Sequence, residues 1–227
     1  MTQKQELYFS KQPLPNYSKG EEVFNLASHA AGGGISIIML IVMMYLAIKK
    51  DLHASETIAL AIYGVCAICL YTMSSLYHGL KKELVSKKVF RIIDHCTIYI
   101  LIAGTYTPIC VIALKGSFQG VFILLTEWLC AILGITLNAL WLNNKKVQVI
   151  SNILYIVTGW LIVFVPNTIS MLTNLQFLYI LLGGIMYSVG VIFYGAGSKK
   201  KWAHSIFHIF CVLGTIIQFI GIYLMIR

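Results

Sequence analysis

A chain of 227 residues of which 59% are hydrophobic and 11% charged, with a mean hydropathy of +0.82, has too little polar surface to cover a water-soluble core. It reads as an integral membrane protein, and a soluble domain is excluded. Its net charge of +9 is accounted for by lysines and arginines that hold topology and touch anionic headgroups, so no nucleic-acid partner is expected.

Residues 1–20 are polar and lack an apolar stretch followed by a small-residue cleavage site, so no cleaved signal peptide is expected. They read as a polar cytoplasmic segment ahead of a transmembrane domain covering 21–227. Apolar runs long enough to cross a hydrocarbon core of about 30 Å occur at 24–48, 58–80, 89–114, 118–140, 147–165, 177–195 and 203–226. The runs show no two-residue alternation, which favours helices over a membrane barrel. The connections are short and polar, and no internal repeat is visible. The fold expected is an all-α bundle of seven transmembrane helices.

Seven spans put the termini on opposite sides. One side carries Lys4, Lys11, Lys19, Lys81, Lys82, Lys87, Lys88, Arg91, Lys145, Lys146, Lys199, Lys200 and Lys201; the other has Lys49, Lys50, Lys115 and Arg227. This asymmetry places the N-terminus in the cytoplasm and the C-terminus outside. All six cysteines fall inside spans and read as buried free thiols. Pro108 should distort the third helix. Gly183, Gly184, Gly190, Gly195, Gly214 and Gly221 suit close helix packing, and Trp141 and Trp202 suit an interfacial belt. Glu127, within the fourth span, has no ionisable partner legible from sequence.

Five of the six histidines, His29, His78, His95, His204 and His208, fall near helix ends on the cytoplasmic side together with Asp94. Polar groups are expensive at bilayer depth, and a cluster of them points to function. His204 and His208 are four apart, on one helix face a turn apart, a spacing able to chelate one ion. Ser74 lies likewise one turn before His78, where a serine hydroxyl can also simply bond its own backbone. His95 points about 100° away from Asp94, and it and His53 read as hydrogen-bonded or interfacial residues. The cluster looks like a metal site.

Five segments then carry a resemblance: Glu21-Glu22-Val23-Phe24-Asn25-Leu26-Ala27-Ser28-His29, Ser74-Ser75-Leu76-Tyr77-His78, Phe90-Arg91-Ile92-Ile93-Asp94-His95, Leu101-Ile102-Ala103-Gly104-Thr105-Tyr106-Thr107-Pro108 and His204-Ser205-Ile206-Phe207-His208. In this order they resemble the hemolysin III family, the bacterial branch of the progestin and adipoQ receptor proteins, related more distantly to alkaline ceramidases. The resemblance implies a seven-helix bundle in the bacterial plasma membrane with a cytoplasmic N-terminus. It also implies zinc held by His78, His204 and His208, with Asp94 and Ser74 flanking the metal and its water. Glu22, Asn25 and His29 match the first-helix motif and, spaced three and four apart, share a helix face as supporting residues.

Three imidazoles leave a fourth tetrahedral position free, the arrangement of catalytic rather than closed structural zinc, and zinc there can bring a water's pKa near neutrality. Asp94 would serve the water's proton, and Ser74 the water or a developing oxyanion. A lipid amide or ester entering sideways from the bilayer fits as substrate, its acyl chain gaining about 0.8 kcal/mol per buried CH₂. The alternatives are a sensor of membrane state with structural zinc and, last, a pore-forming cytolysin, for which no insertion segment is visible. The expected role is in membrane lipid homeostasis.

Overall fold

The computed structural model describes residues 9, 13–197 and 200–227. Lys4, Lys11 and Lys199 of the basic set, and most of the polar stretch before residue 13, lie outside them. The described residues form seven main helices: α1 Lys19–Lys49, α2 Ala54–Gly79, α3 Val85–Pro108, α4 Phe118–Trp141, α5 Lys145–Gly159, α6 Asn174–Ala196 and α7 Ala203–Ile226. All but α5 are long and apolar enough to cross a membrane, α3 counted with its continuation to Ala113. Many large apolar side chains face outward, Ile48 at 80%, Phe118 at 79% and Ile192 at 72% exposure among them, which suits lipid rather than water.

Helix α3 is the centre of the bundle, with 67% of its apolar window buried against 28% for α4 and 17% for α6. Helix α1 packs on α2 and α7, α2 on α3, α3 on α4, and α6 on α7, while α5 is tied to α6 only sparsely. Small residues allow these approaches. A methyl group on Gly134 would run into the Tyr99 ring, and one on Gly183 into the Gln218 side chain. Gly195 differs from the packing role expected of it, because nothing lies within 4 Å of where its Cβ would be.

Two local features depart from the sequence reading, and a third, the distortion at Pro108, agrees with it. Helix α1 starts at Lys19 because Ser18 caps it: the Ser18 hydroxyl accepts from the Glu21 N–H and the Glu21 carboxylate accepts from the Ser18 N–H. Past Pro108, which has no N–H to donate, α3 widens into a π turn over Ile109–Ala113. The run at 147–165 is broken: α5 ends at Gly159, and a short turn, Leu161–Phe164, follows. The Tyr106 hydroxyl enters this break, donating to Gly159 O at 2.9 Å and accepting from Ile162 N–H at 3.2 Å. Fifteen residues make a helix of only about 22 Å.

Polar contacts assign loops to the two ends of the bundle. At one end Lys50 Nζ donates to Arg227 O at 2.9 Å, and Lys115 Nζ pairs with Glu56 at 2.7 Å. At the other, Lys82 Nζ holds Asn16 and Tyr17, and Trp202 N–H donates to Glu21 at 2.8 Å. This is the grouping that the basic residues suggest. Lys87 is the exception, a fully buried side chain at 1% exposure rather than a surface charge.

Candidate metal centre

The end that carries the N-terminal segment also carries the histidines. His78 lies in the last turn of α2, and His204 and His208 occupy the first two turns of α7. Trp202, just before α7, adopts a left-handed backbone with φ of 64°, a conformation costly for a large side chain. Its N–H bond to the Glu21 carboxylate ties the start of α7 to the start of α1, which fixes where His204 begins its turn.

The three rings are buried, at 3%, 5% and 1% exposure for His78, His204 and His208. His204 Nε2 lies 3.1 Å from His208 Nε2 and 3.4 Å from His78 Nε2, and one nitrogen of each ring falls within 4.8 Å of the others. Hydrogen bonding decides what these nitrogens present. His78 Nδ1 is 2.6 Å from the Glu22 carboxylate and His208 Nδ1 is 3.3 Å from Asn25 O. Both partners only accept, so a proton placed on each Nδ1 leaves the Nε2 of each ring facing the centre. A single proton on His204 Nε2 cannot satisfy two lone pairs, whereas a cation between the three can. Nitrogens sharing one tetrahedral ion at about 2.0–2.1 Å would lie about 3.3–3.4 Å apart, close to the 3.4 and 3.1 Å that separate His204 Nε2 from its two neighbours. The group can hold a metal ion.

The supporting residues of α1 gather around it. Besides its bond to His78, Glu22 pairs with Lys87 at 2.9 Å. The Asn25 amide lies 3.5 Å from His78 Nδ1. His29 stacks on His208 with ring centroids 3.6 Å apart and both its nitrogens buried without a partner. Ser74 is 1% exposed, and its hydroxyl has no protein partner; the backbone bond weighed for it is made instead by Ser75, to Tyr71 O at 2.7 Å. Asp94 is not among the converging ligand atoms. Its carboxylate lies 3.8 Å from His95 Nδ1.

Other sequence candidates separate from the cluster. His95 donates from Nδ1 to Arg91 O at 2.7 Å and accepts at Nε2 from the Tyr194 hydroxyl at 3.0 Å, a satisfied neutral ring. His53 is exposed at the far end. Glu127 is buried at 1% exposure with Oε1 unpartnered, and all six cysteines are free.

Two neighbours were missed by the sequence reading. Tyr17 stacks on His204 with centroids 4.8 Å apart and planes 18° from parallel, and its segment is held by Lys82. Burial pushes the Tyr17 phenol far above the usual tyrosine range, with Tyr77 and Tyr194 adding to the effect. The capping box at Ser18 and Glu21 is the signal that would have turned the chain back over the site. Lys87 has no such signal.

Beside the centre lies an apolar cavity between α3, α5, α6 and α7, with an empty volume of about 900 Å³ including its open mouth. Ile102, Ile156, Trp160 and Val191 are among its walls, and Tyr194 and Phe207 stand at the end nearest the histidines. Phe207 packs 5.6 Å from the His204 ring and 5.9 Å from the His208 ring, so the cavity reaches the flank of the metal centre.

Comparison with known proteins shows the family of the chain. Residues 17–219 match the family described as Haemolysin-III related. The chain is 38% identical to Hemolysin-3 of Bacillus cereus over 88% of its length and 89% of the relative's. It is 36% identical to a Hemolysin-3 homolog of Bacillus subtilis over 88% and 91% of the two chains. A more distant likeness, 26% identity over 74% of this chain and 70% of the other, is to human Monocyte to macrophage differentiation factor. With the match extending from Tyr17 to Phe219, inside the last helix, the chain belongs to the haemolysin-III-related family.

Proposed function

We propose that this protein is a zinc hydrolase of lipid amides or esters in the bacterial plasma membrane, serving membrane lipid homeostasis. The convergence of the three Nε2 atoms carries the reading. The arrangement has no fourth protein ligand among the described residues and lies beside an apolar cavity that opens between the helices, the concave apolar setting in which small molecules bind. Two Bacillus relatives support the location.

The chain spans the membrane seven times, with the N-terminus cytoplasmic and the C-terminus outside. The seventh crossing is α5 continued by the turn Leu161–Phe164, the backbone groups freed at the break being taken up by Tyr106, as a non-aqueous surrounding demands. A reporter fused after Arg227 will be active outside the cell and silent in the cytoplasm; the reverse contradicts the orientation.

The acyl chain of the substrate lies in the cavity and its carbonyl reaches past Phe207 to the histidines. Zinc, when bound, supplies a Lewis acid at the carbonyl and lowers the pKa of the attacking water. In this reading the Asp94 carboxylate would take a proton from the attacking water and return it to the leaving amine or alkoxide. The unpartnered Ser74 hydroxyl donates to the carbonyl oxygen as negative charge builds there. Phe207 and the stacked Tyr17 keep bulk water off the rings.

The test is a lipid-amide and lipid-ester hydrolysis assay on metal-loaded protein. Asp94→Asn keeps the metal and fold and loses roughly 10² to 10⁴ in turnover. Metal-loaded wild type that cleaves neither class contradicts hydrolysis and leaves a membrane-state sensor in which zinc ties α2 to α7.

A further inference from the structure

Lys87 is buried at the entry to α3, and each N–H of its ammonium has an acceptor. Nζ lies 2.9 Å from Glu22 Oε1, 2.9 Å from Leu80 O and 3.1 Å from Tyr77 O, and 5.0 Å from the Tyr77 ring centroid. The two carbonyls belong to the end of α2 around His78, and the carboxylate is the one whose other oxygen sits 2.6 Å from His78 Nδ1. A continuous line therefore runs from α3 through α1 to a metal-site ring on α2. Glu22 is half-buried, with 13% side-chain exposure, so without Lys87 its Oε1 would lose its charged partner and only His78 would remain to hold the carboxylate.

We infer that Lys87 is a positioning residue of the metal centre: by holding the Glu22 carboxylate against His78 Nδ1 it fixes the ring orientation and tautomer that turn Nε2 to the ion. The inference rests on the metal reading above and adds a residue that touches neither metal nor substrate. Tyr77 O and Leu80 O do not need Lys87 in order to stay near the helix end, because carbonyls in a last helical turn accept from water or from other donors. The Glu22 carboxylate, wedged between two cationic or N–H partners, has no such substitute.

The experiment is a zinc titration of purified full-length protein in competition with a chromophoric chelator, paired with ¹⁵N spectra of the apo-protein labelled at histidine. Glu22→Gln weakens zinc binding by about 10- to 100-fold and Lys87→Met by about tenfold, the range for partners behind a ligating histidine. Because Lys87 acts through Glu22, the double variant binds as Glu22→Gln alone. The His78 ring, identified by its loss in His78→Ala, gives a single Nδ1-protonated tautomer in wild type and a mixture in Lys87→Met. Affinity within twofold of wild type together with an unchanged His78 spectrum in Lys87→Met overturns the inference and leaves the metal site standing. Wild type that binds no zinc overturns both. Should Lys87→Met fail to fold, the charge-neutral double variant decides: affinity equal to Glu22→Gln supports the inference, and a further tenfold loss overturns it.

Discussion

The histidine cluster and the apolar cavity are neighbours that solve opposite problems. In the cluster, polar atoms from α1, α2 and α7 crowd to within 2.6–3.4 Å of one another, and several, such as the Ser74 hydroxyl and both His29 nitrogens, are buried with no protein partner. In the cavity, four helices stand apart around space walled by Ile, Val and aromatic side chains. Orphaned polar groups and unfilled volume each lower stability. Both lie side by side, with Tyr194 and Phe207 lining the cavity and packing on the histidine rings, the arrangement on which the proposed hydrolysis rests. The cluster is specified by what converges, and the cavity by what is left out.

Changes that separate the two regions test this contrast. The largest effect belongs to His78→Ala or His208→Ala, each of which will strip most of the metal. It will also remove up to about 4 kcal/mol of linked stability when the ion is present at a thousand times its Kd, read as a Tm difference between metal-loaded and chelated protein. Equal Tm differences in wild type and variant would contradict a shared ligand set. Filling the cavity with Val191→Trp should act the other way, keeping the metal while lowering co-purified lipid roughly tenfold by mass spectrometry. Loss of metal in that variant would mean that the regions are not separable.

Smaller effects sharpen the boundary. Tyr17→Ala uncovers the face of His204 and should speed metal loss to a chelator several-fold at unchanged equilibrium content, since the ring shields the site without ligating it; an unchanged rate would show that the stack does not shield. Gly134→Ala, packed on Tyr99 rather than on the histidine cluster, should cost about 1–3 kcal/mol through the Tyr99 clash and leave metal content at the wild-type level. His53→Ala, exposed at the other end of the bundle, should change neither Tm nor metal content.

Much of the cluster was legible because its spacing is local. His204 and His208 four apart, and Ser74 four before His78, are helix-periodic patterns, and the structure puts both pairs at the same end of the bundle. The bonds of Lys87 to Glu22 and of Trp202 to Glu21 join residues 65 and 181 positions apart and leave no periodic trace. Lys87 looked like another topogenic lysine for that reason. The break in α5 was hidden in the same way, since it depends on Tyr106 of α3 supplying partners for Gly159 and Ile162. Hydropathy reports that a run is apolar, and it cannot report that a distant hydroxyl has entered the backbone. Gly195 shows the converse error, a small residue in a packing pattern with nothing packed on it.

X-ray absorption at the zinc edge, on protein purified without chelator and quantified by elemental analysis, tests the central claim most directly. The account predicts near-stoichiometric zinc with a first shell of nitrogen and oxygen at about 2.0–2.1 Å, the multiple-scattering pattern of three imidazoles and no sulfur, and loss of that signal in His204→Ala. Absence of metal, or a sulfur shell drawn from the six free cysteines, would contradict it.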